Sequence, residues 1–367
     1  MPKKRRASGK KSDFTDIRAV AERANVSIAT VSRTINRIPT VNTKMAKRVW
    51  EAINELNYFP NTQARALVSG RSGVFGLIVS EITNPFFAEL IQGFEDVAVE
   101  NGYEIMIGST NYDTRRWELC IRRMLERKAD GVAVMTFGIE EPLLQQFAQR
   151  DVPLVFIDAG PERPAVSLLK VDYHHGIRQG VQHLAVLGHR DIAFVSGPRR
   201  LHSAHSRLDA FQKSLSECGI ALNPEWLIEG DHTLNGGIEA MGQLFSRKKL
   251  PTAVMCSNDM TAIGVLHCAN RGGLHVPDDL SIIGFDDVNM VQVMFPPLTS
   301  VQMSRLDLAR GAVTALRAHV EHTSPKREYK IETRLVVRES TGYPRGSRSD
   351  LPKPIAHHAG PTHGSGR

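Results

Sequence analysis

Cysteine is scarce: four residues in 367, at Cys120, Cys218, Cys256 and Cys268, with neither CxxC pairing nor zinc-ligand spacing. A disulfide-stapled secreted scaffold is thereby excluded, and buried, reduced thiols are expected. Long apolar runs are missing too, none approaching the ~20 residues of a membrane-spanning helix. The opening segment, MPKKRRASGKKSD, is basic with no apolar stretch behind it, so it is not a secretory signal. A cytoplasmic, nucleoid-associated protein with no membrane partner is the expectation. Also absent are GxGxxG, GxxxxGK[ST], GxSxG and HExxH, the phosphate cradles, nucleophile elbow and zinc-binding helix of common enzymes. The adjacent His174 and His175 lack the carboxylate or thiolate spacing of a metal site. The chain is therefore expected to be no enzyme, and to carry neither cofactor nor metal.

What is present is unevenly placed. Hydrophobic residues make up 41 % and aromatics 6 %, ordinary for a soluble protein of two or three domains. Residues 1–72 hold fifteen Lys or Arg against five Asp or Glu, whereas the remainder sums to −3 within the overall +7. A basic module joined to a slightly acidic body is the electrostatic footprint of a polyanion binder. The Lys3 to Lys11 run reads as a disordered tail that adds non-specific phosphate attraction.

Within that module, Ile17, Val20, Ala21 and Ala24 follow the i, i+3, i+4, i+7 spacing of one helical stripe, with Thr15 or Asp16 as N-cap. Asn25 stands where a tight turn needs positive φ. Ser27 then caps a second helix whose Val31 and Ile35 continue the stripe, while Ala29 and Arg33 share the other face. Two helices so joined predict a helix-turn-helix whose second helix enters the major groove. A third segment, TKMAKRVWEAINELNY, puts Val49, Ile53 and Leu56 on one face.

AVAERANVSIATVSRTIN followed by LNYFPNTQARAL resembles the DNA-binding headpiece and hinge of the lac repressor and galactose repressor family of bacterial transcription regulators, and the resemblance runs to about residue 343. It implies that Ile28, Ala29 and Arg33 read base edges. Ile28 and Ala29 offer only apolar contact, for instance to a thymine methyl, whereas Arg33 can fork onto guanine. Ser27, Thr30, Ser32 and Asn36 suit phosphates, or else helix capping and solvation. Asn61 to Ser69 would be the hinge helix, too short to stand alone in water and ordering only when two copies meet on DNA. There Leu67, flanked by Ala64 and Arg65, would wedge into the minor groove.

From residue 73, apolar runs alternate with amphipathic helices: 74–79, 103–109, 131–137, 153–159, 192–197, 252–257 and 281–286 read as buried parallel strands. Such β-α repeats give doubly wound sheets. The resemblance adds two similar lobes of periplasmic-binding-protein type, with the last β-α unit, about 300–325, returning to the first. The expected fold is thus an all-α headpiece with a hinge helix, then a two-lobe α/β effector domain. Its divisions are a basic tail (1–14), headpiece (15–60), hinge and linker (61–72), effector and dimerisation domain (73–343) and a disordered C-terminal tail (344–367) without coiled-coil heptads.

Ligands of open α/β sheets bind beyond the carboxyl ends of strands. Those positions supply Asn84, Phe86, Phe87, Asn111 and Asp158 in the first lobe, with Tyr112, Asp113, Thr136 and Phe137 nearby. The second lobe supplies Arg207, His232, Asn258 and Asp286, with Ser203, Asp231 and Asp259 beside them. Arg207, Asn258 and Asp286 match the family best, and an arginine fork, an amide and a carboxylate can hold the hydroxyls of a polyol. His232 stands where relatives carry an aromatic platform, which puts stacking in doubt. The implied protein is a sequence-specific regulator, a repressor in most of the family, working as a homodimer on pseudo-palindromic double-stranded operator DNA under a sugar-like effector. The alternative, a solute-binding receptor for transport, requires an export signal.

Overall fold

The computed structural model describes residues 16–35, 38–59, 70–135, 141–161, 163, 165–323 and 326–346. The chain divides into two compact units between Ser72 and Gly73.

In the first unit, α1 (Ile17–Ala24), α2 (Ile28–Ile35) and α3 (Thr43–Glu55) surround a small core of Val20, Ala21, Ala24, Val31, Val49, Ala52 and Ile53. Asp16 is the N-cap of α1, accepting from the Arg18 and Ala19 amides. Asn25 ends that helix at φ 50°, ψ 55°, the left-handed conformation that Asn tolerates better than most residues with a side chain. Val20, Val31 and Val49 have no exposed surface, and each buried side chain of this size stabilises the trihelical cluster by roughly 1.5–3 kcal/mol.

The second unit is built on one sheet of eleven strands among the described residues, in the order β2-β1-β3-β4-β5-β11-β10-β9-β8-β6-β7. Its first half holds β1 (Val74–Val79), β2 (Glu104–Ser109), β3 (Gly131–Met135), β4 (Leu154–Ile157) and β5 (Val166–Asp172). The second half holds β6 (Ile192–Ser196), β7 (Leu227–Glu229), β8 (Ala253–Cys256), β9 (Ser281–Asp286) and β10 (Thr299–Met303). Strand β11 (Glu328–Val336) joins them, parallel to β5 and antiparallel to β10. All other pairings among the described residues are parallel.

Helices between the strands are α4 (Pro85–Glu100), α5 (Thr114–Glu126), α6 (Glu141–Ala148), α7 (Tyr173–Val186), α8 (His202–Glu217), α9 (Leu234–Phe245), α10 (Asp259–Arg271) and α11 (Arg305–Val320). The expected return to the first lobe is made by the helix alone. Strand β10 stays beside β9, while α11 packs on α4, β3 and β4. The strands expected at 103–109, 153–159, 192–197 and 252–257 are each shorter by a residue or more at one or both ends, and β2 is an edge strand with Ile107 45 % exposed rather than buried. Beyond Tyr343 the described backbone continues to Gly346, and Arg345 donates to the Leu250 carbonyl at 2.9 Å.

Candidate functional site

Two sites emerge from this framework, one in each unit. On α2, burial of Val31 and Thr34 turns Ile28, Ala29 and Arg33 outward. Ile28 is 46 % exposed, an apolar side chain left open at the helix start. Ser27 Oγ accepts from the Thr30 amide at 3.1 Å and shares a 2.9 Å hydrogen bond with the Thr30 hydroxyl, so both residues act in the N-cap. Ser32 is half-buried. Asn36, Ala64, Arg65 and Leu67 lie outside the described residues, as do Thr136 and Phe137.

In the second unit a cavity of about 80 Å³ opens between the lobes at the carboxyl ends of the strands. Asn84, Phe86, Phe87 and Asp158 line it from the first lobe, and Arg207, His232, Asn258 and Asp286 from the second. Asn111 is the exception among the expected residues. It sits exposed at φ 48° in a turn, and the next residue, Tyr112 at φ 57°, reaches the cavity instead. Tyr112 donates to Glu81 Oε1 at 3.1 Å. Phe86 and Phe87 meet edge-to-face at 5.4 Å, and both line the wall although Phe86 is buried.

Each polar group is fixed by the element beneath it. Asn84 caps α4, accepting from the Phe86 amide at 3.0 Å. Asn258 caps α10 by accepting from the Thr261 amide at 2.9 Å, and its Nδ2 donates to the His232 carbonyl at 2.9 Å. Arg207 Nη1 donates to the Ser257 carbonyl at 2.6 Å, Nη2 lies 3.6 Å from Asp286 Oδ1, and the guanidinium stacks 4.2 Å from the Phe285 ring centre. Burial raises the Asp286 carboxyl to about 6, with Arg207 and Arg305 opposing the rise. Asp158 moves the same way for the same first reason. Asp286 has φ 106°, a strained conformation for a residue with a side chain.

The His232 ring is held from one side by its neighbours. Its Nε2 shares a 2.9 Å hydrogen bond with Ser257 Oγ, and the ring lies so close to Gly197 that a Cβ there would fall 1.9 Å from Nε2. Burial, and then the charge of Arg207, lower its pKa to about 3, so the imidazole is neutral. The buried Tyr173 hydroxyl faces the Asp158 carboxyl and the Arg207 guanidinium. Burial first, and then the Asp158 carboxyl, push the Tyr173 hydroxyl well above its ordinary range, so it stays protonated between Asp158 and Arg207.

Several nearby residues serve the fold. Asp113 caps α5, and Asp231 accepts from the Thr233 amide and hydroxyl at 2.9 and 2.7 Å. Asp259, first residue of α10 and fully buried, accepts from the Ser300 hydroxyl at 2.6 Å and the Val288 amide at 2.8 Å. Asp287, next to Asp286, is 2 % exposed and pairs with Arg338 at 2.6 Å. His174 lies 3.4 Å from Glu217, and His175 shares a 3.0 Å hydrogen bond with Gln179.

Tyr173, Met303, Ser80, Leu201 and His202 also line the cavity, and the sequence reading names none of them. Tyr173 follows β5 and Met303 ends β10, so the rule that sites gather at strand ends reaches both once those strands are known. Ser80 directly follows β1, a strand evident in the sequence, and the same rule reaches it.

Residues 16–61 match the family model for bacterial regulatory proteins of the lacI family, and residues 181–341 the one for a periplasmic binding protein-like domain. The chain is 33 % identical to the HTH-type transcriptional repressor PurR of Photobacterium profundum, over 88 % of this chain and 98 % of that protein. It is equally 33 % identical to catabolite control protein A of Priestia megaterium, with the same two coverages. Among solved structures it resembles the lac repressor dimer bound to operator and the anti-inducer ONPF, with a TM-score of 0.78 and 26 % identity over 89 % of this chain and 99 % of that one. A complex of the transcriptional regulator CelR with cellobiose gives a TM-score of 0.67 at 28 % identity, with the same coverages.

Proposed function

Because the chain belongs to the lacI family of bacterial regulatory proteins, DNA-binding transcription repressors controlled by small molecules, we propose that two copies bind a pseudo-palindromic operator and that a sugar-like effector in the inter-lobe cavity sets their affinity. The observation that carries the effector half is the cavity itself. Its walls come from both lobes, and Arg207, Asn258, Asp286 and Asp158 set a guanidinium, an amide and two carboxyl groups around it. A molecule binding there touches both lobes and therefore favours one relative orientation over others, which is the differential affinity that linkage to a second site requires.

The DNA half rests on α2. Ile28 and Ala29 would give apolar contact and Arg33 a bidentate guanine contact, with Ser32 and Asn36 on the phosphates. Ser27 and Thr30 would present to phosphate only what their cap leaves free. Ala64, Arg65 and Leu67 would enter the minor groove at the operator centre. Val293 and Phe295, 85 and 91 % exposed, offer apolar surface for a second copy to cover.

A thermal-shift screen against sugars, sugar phosphates, sugar acids and nucleobases tests the effector half, since a ligand of the folded state raises Tm by mass action. One class of hits, lost in Asp286→Ala, is expected. Hits that survive that substitution would place the ligand elsewhere. Duplexes selected from a random library test the DNA half, with binding expected to fall steeply as salt rises.

A further inference from the structure

The strained Asp286 needs support from outside its own loop, and the support leads back to the opposite lobe. Arg305, first residue of α11, donates from Nη1 to the Asp286 carbonyl at 2.6 Å. Its Nη2 lies 2.8 Å from Glu89 Oε2 on α4, with the two side chains only 13 and 20 % exposed. The other Glu89 oxygen, Oε1, accepts from the Asn289 amide at 2.8 Å, three residues beyond Asp286. One carboxylate of the first lobe thus holds both the backbone of the second-lobe loop that follows β9 and the arginine that anchors that loop's strained residue. Glu89 sits one helical turn after Phe86, and Asn84, Phe86 and Phe87 at the start of the same helix line the cavity.

We propose that Glu89 is a positioning residue that pins the first-lobe wall of the cavity to the Asp286 loop, and so sets how far the two lobes separate. The proposal rests on the effector-controlled reading above and assigns the contact through which lobe orientation is held. Charge and geometry both single out this residue. Glu89 compensates a mostly buried guanidinium on α11, which packs on the same lobe as α4, so lobe opening would break the Asn289–Glu89 bond and the Arg305–Asp286 carbonyl bond while Glu89 and Arg305 stay together. Effector binding beside Asp286 would act on the same loop, through the residue whose carbonyl Arg305 holds.

The test measures the inter-lobe distance directly and needs no effector. Full-length protein with Cys218 and Cys268 replaced by serine is spin-labelled through Val99→Cys in the first lobe and Val186→Cys in the second, positions 60 and 86 % exposed, and diluted with unlabelled protein. Two variants are compared. Glu89→Ala removes the whole pin. Asn289→Pro removes the amide proton that Glu89 accepts and otherwise changes only an exposed side chain, because Asn289 opens a short 3₁₀ turn after Val288 at φ −65°, ψ 151°, a geometry compatible with a following proline.

The wild type is expected to show one narrow inter-lobe distance, Asn289→Pro a broader one, and Glu89→Ala a longer and broader one. A purely structural role would lower the urea midpoint and leave the distances unchanged, and unchanged distances in both variants would overturn the proposal. If Glu89→Ala does not fold, Asn289→Pro decides alone. Duplex binding by the same preparations is scored separately, so loss of the regulator reading and loss of the pin are distinguishable.

Discussion

Arg207 lies over the face of Phe285 with its guanidinium carbon 4.2 Å from the ring centre, and one residue further along the chain Asp286 faces it at 3.6 Å. Cation and ring together hold the arginine rigid in a desolvated wall. The carboxylate beside it keeps the charge compensated without a close hydrogen bond.

Removing that arginine should raise the Asp286 carboxyl beyond its present value of about 6, because Arg207 is the largest influence holding it down. The sign follows from linkage. A carboxyl whose folded pKa is raised stabilises the fold below its unfolded pKa and loses that contribution as pH rises through the folded value. Arg207→Ala should therefore lose stability between pH 6 and 8 more steeply than the wild type, as read by urea midpoints, and should fail to respond to any effector hit. A flat profile over that range would mean that Asp286 has found another partner.

His232 acts in the opposite direction. Its folded pKa of about 3 lies below the ordinary value of 6.5, so the unfolded chain binds the extra proton and stability falls as pH drops from 6.5 towards 3. His232→Gln should reduce this fall while keeping a donor for Ser257. Urea midpoints of both proteins between pH 7 and pH 5 measure the difference. An identical fall in the two would contradict a neutral, buried imidazole.

Arg33→Ala should leave the headpiece folded, since the core lies on the other face of α2 from Arg33. Discrimination at one base pair should drop by about 1–3 kcal/mol. Fluorescence anisotropy with a selected duplex and its single-base variants measures this. A uniform loss across all variants would instead assign Arg33 to a phosphate.

The Asp287–Arg338 pair, at 2.6 Å with side chains 3 and 15 % exposed, ties the end of β9 to the segment after β11. Deleting one partner strands a buried charge, so Arg338→Ala should cost about 3–5 kcal/mol. Arg338→Lys, which keeps a cation beside Asp287 but loses the planar fork, should recover part of it. Urea unfolding of the three proteins reports both effects.

Helices α9 and α10 touch backbone to backbone, and a Cβ on Gly237 would fall 2.2 Å from the Thr261 carbonyl oxygen, a backbone atom with little room to move aside. Gly237→Ala should therefore destabilise by about 1–3 kcal/mol or more, as read by urea unfolding, with DNA binding by the separate headpiece unit retained at low temperature.

Much of this is legible in the chain because it rests on local chemistry. Asp16, Asn25 and Ser27 punctuate the headpiece through interactions spanning a few residues, and continuous apolar runs such as VFGLIV and SIIGFD announce strands buried on both faces. Strands β5 and β11 are not legible in the same way, because VSLLKVD and EYKIETRLV mix charge with apolar residues, as suits strands with one face exposed. Without β5, nothing in the local pattern marks Tyr173 at its end as a wall of the cavity.

The sequence by itself determined the helix-turn-helix, a body of repeated β-α units and most of the residues at the strand ends, because periodicity, capping and apolar runs act over short separations, while the division of that body into two lobes came from the family resemblance. Only the tertiary structure decided that Asp287 and Asp259 are buried supports rather than surface carboxylates, that Tyr112 and not Asn111 turns into the cavity, and that Glu89 reaches a loop two hundred residues away. These depend on which distant groups share a buried volume, where an unpaired charge is costly, and no local pattern records that.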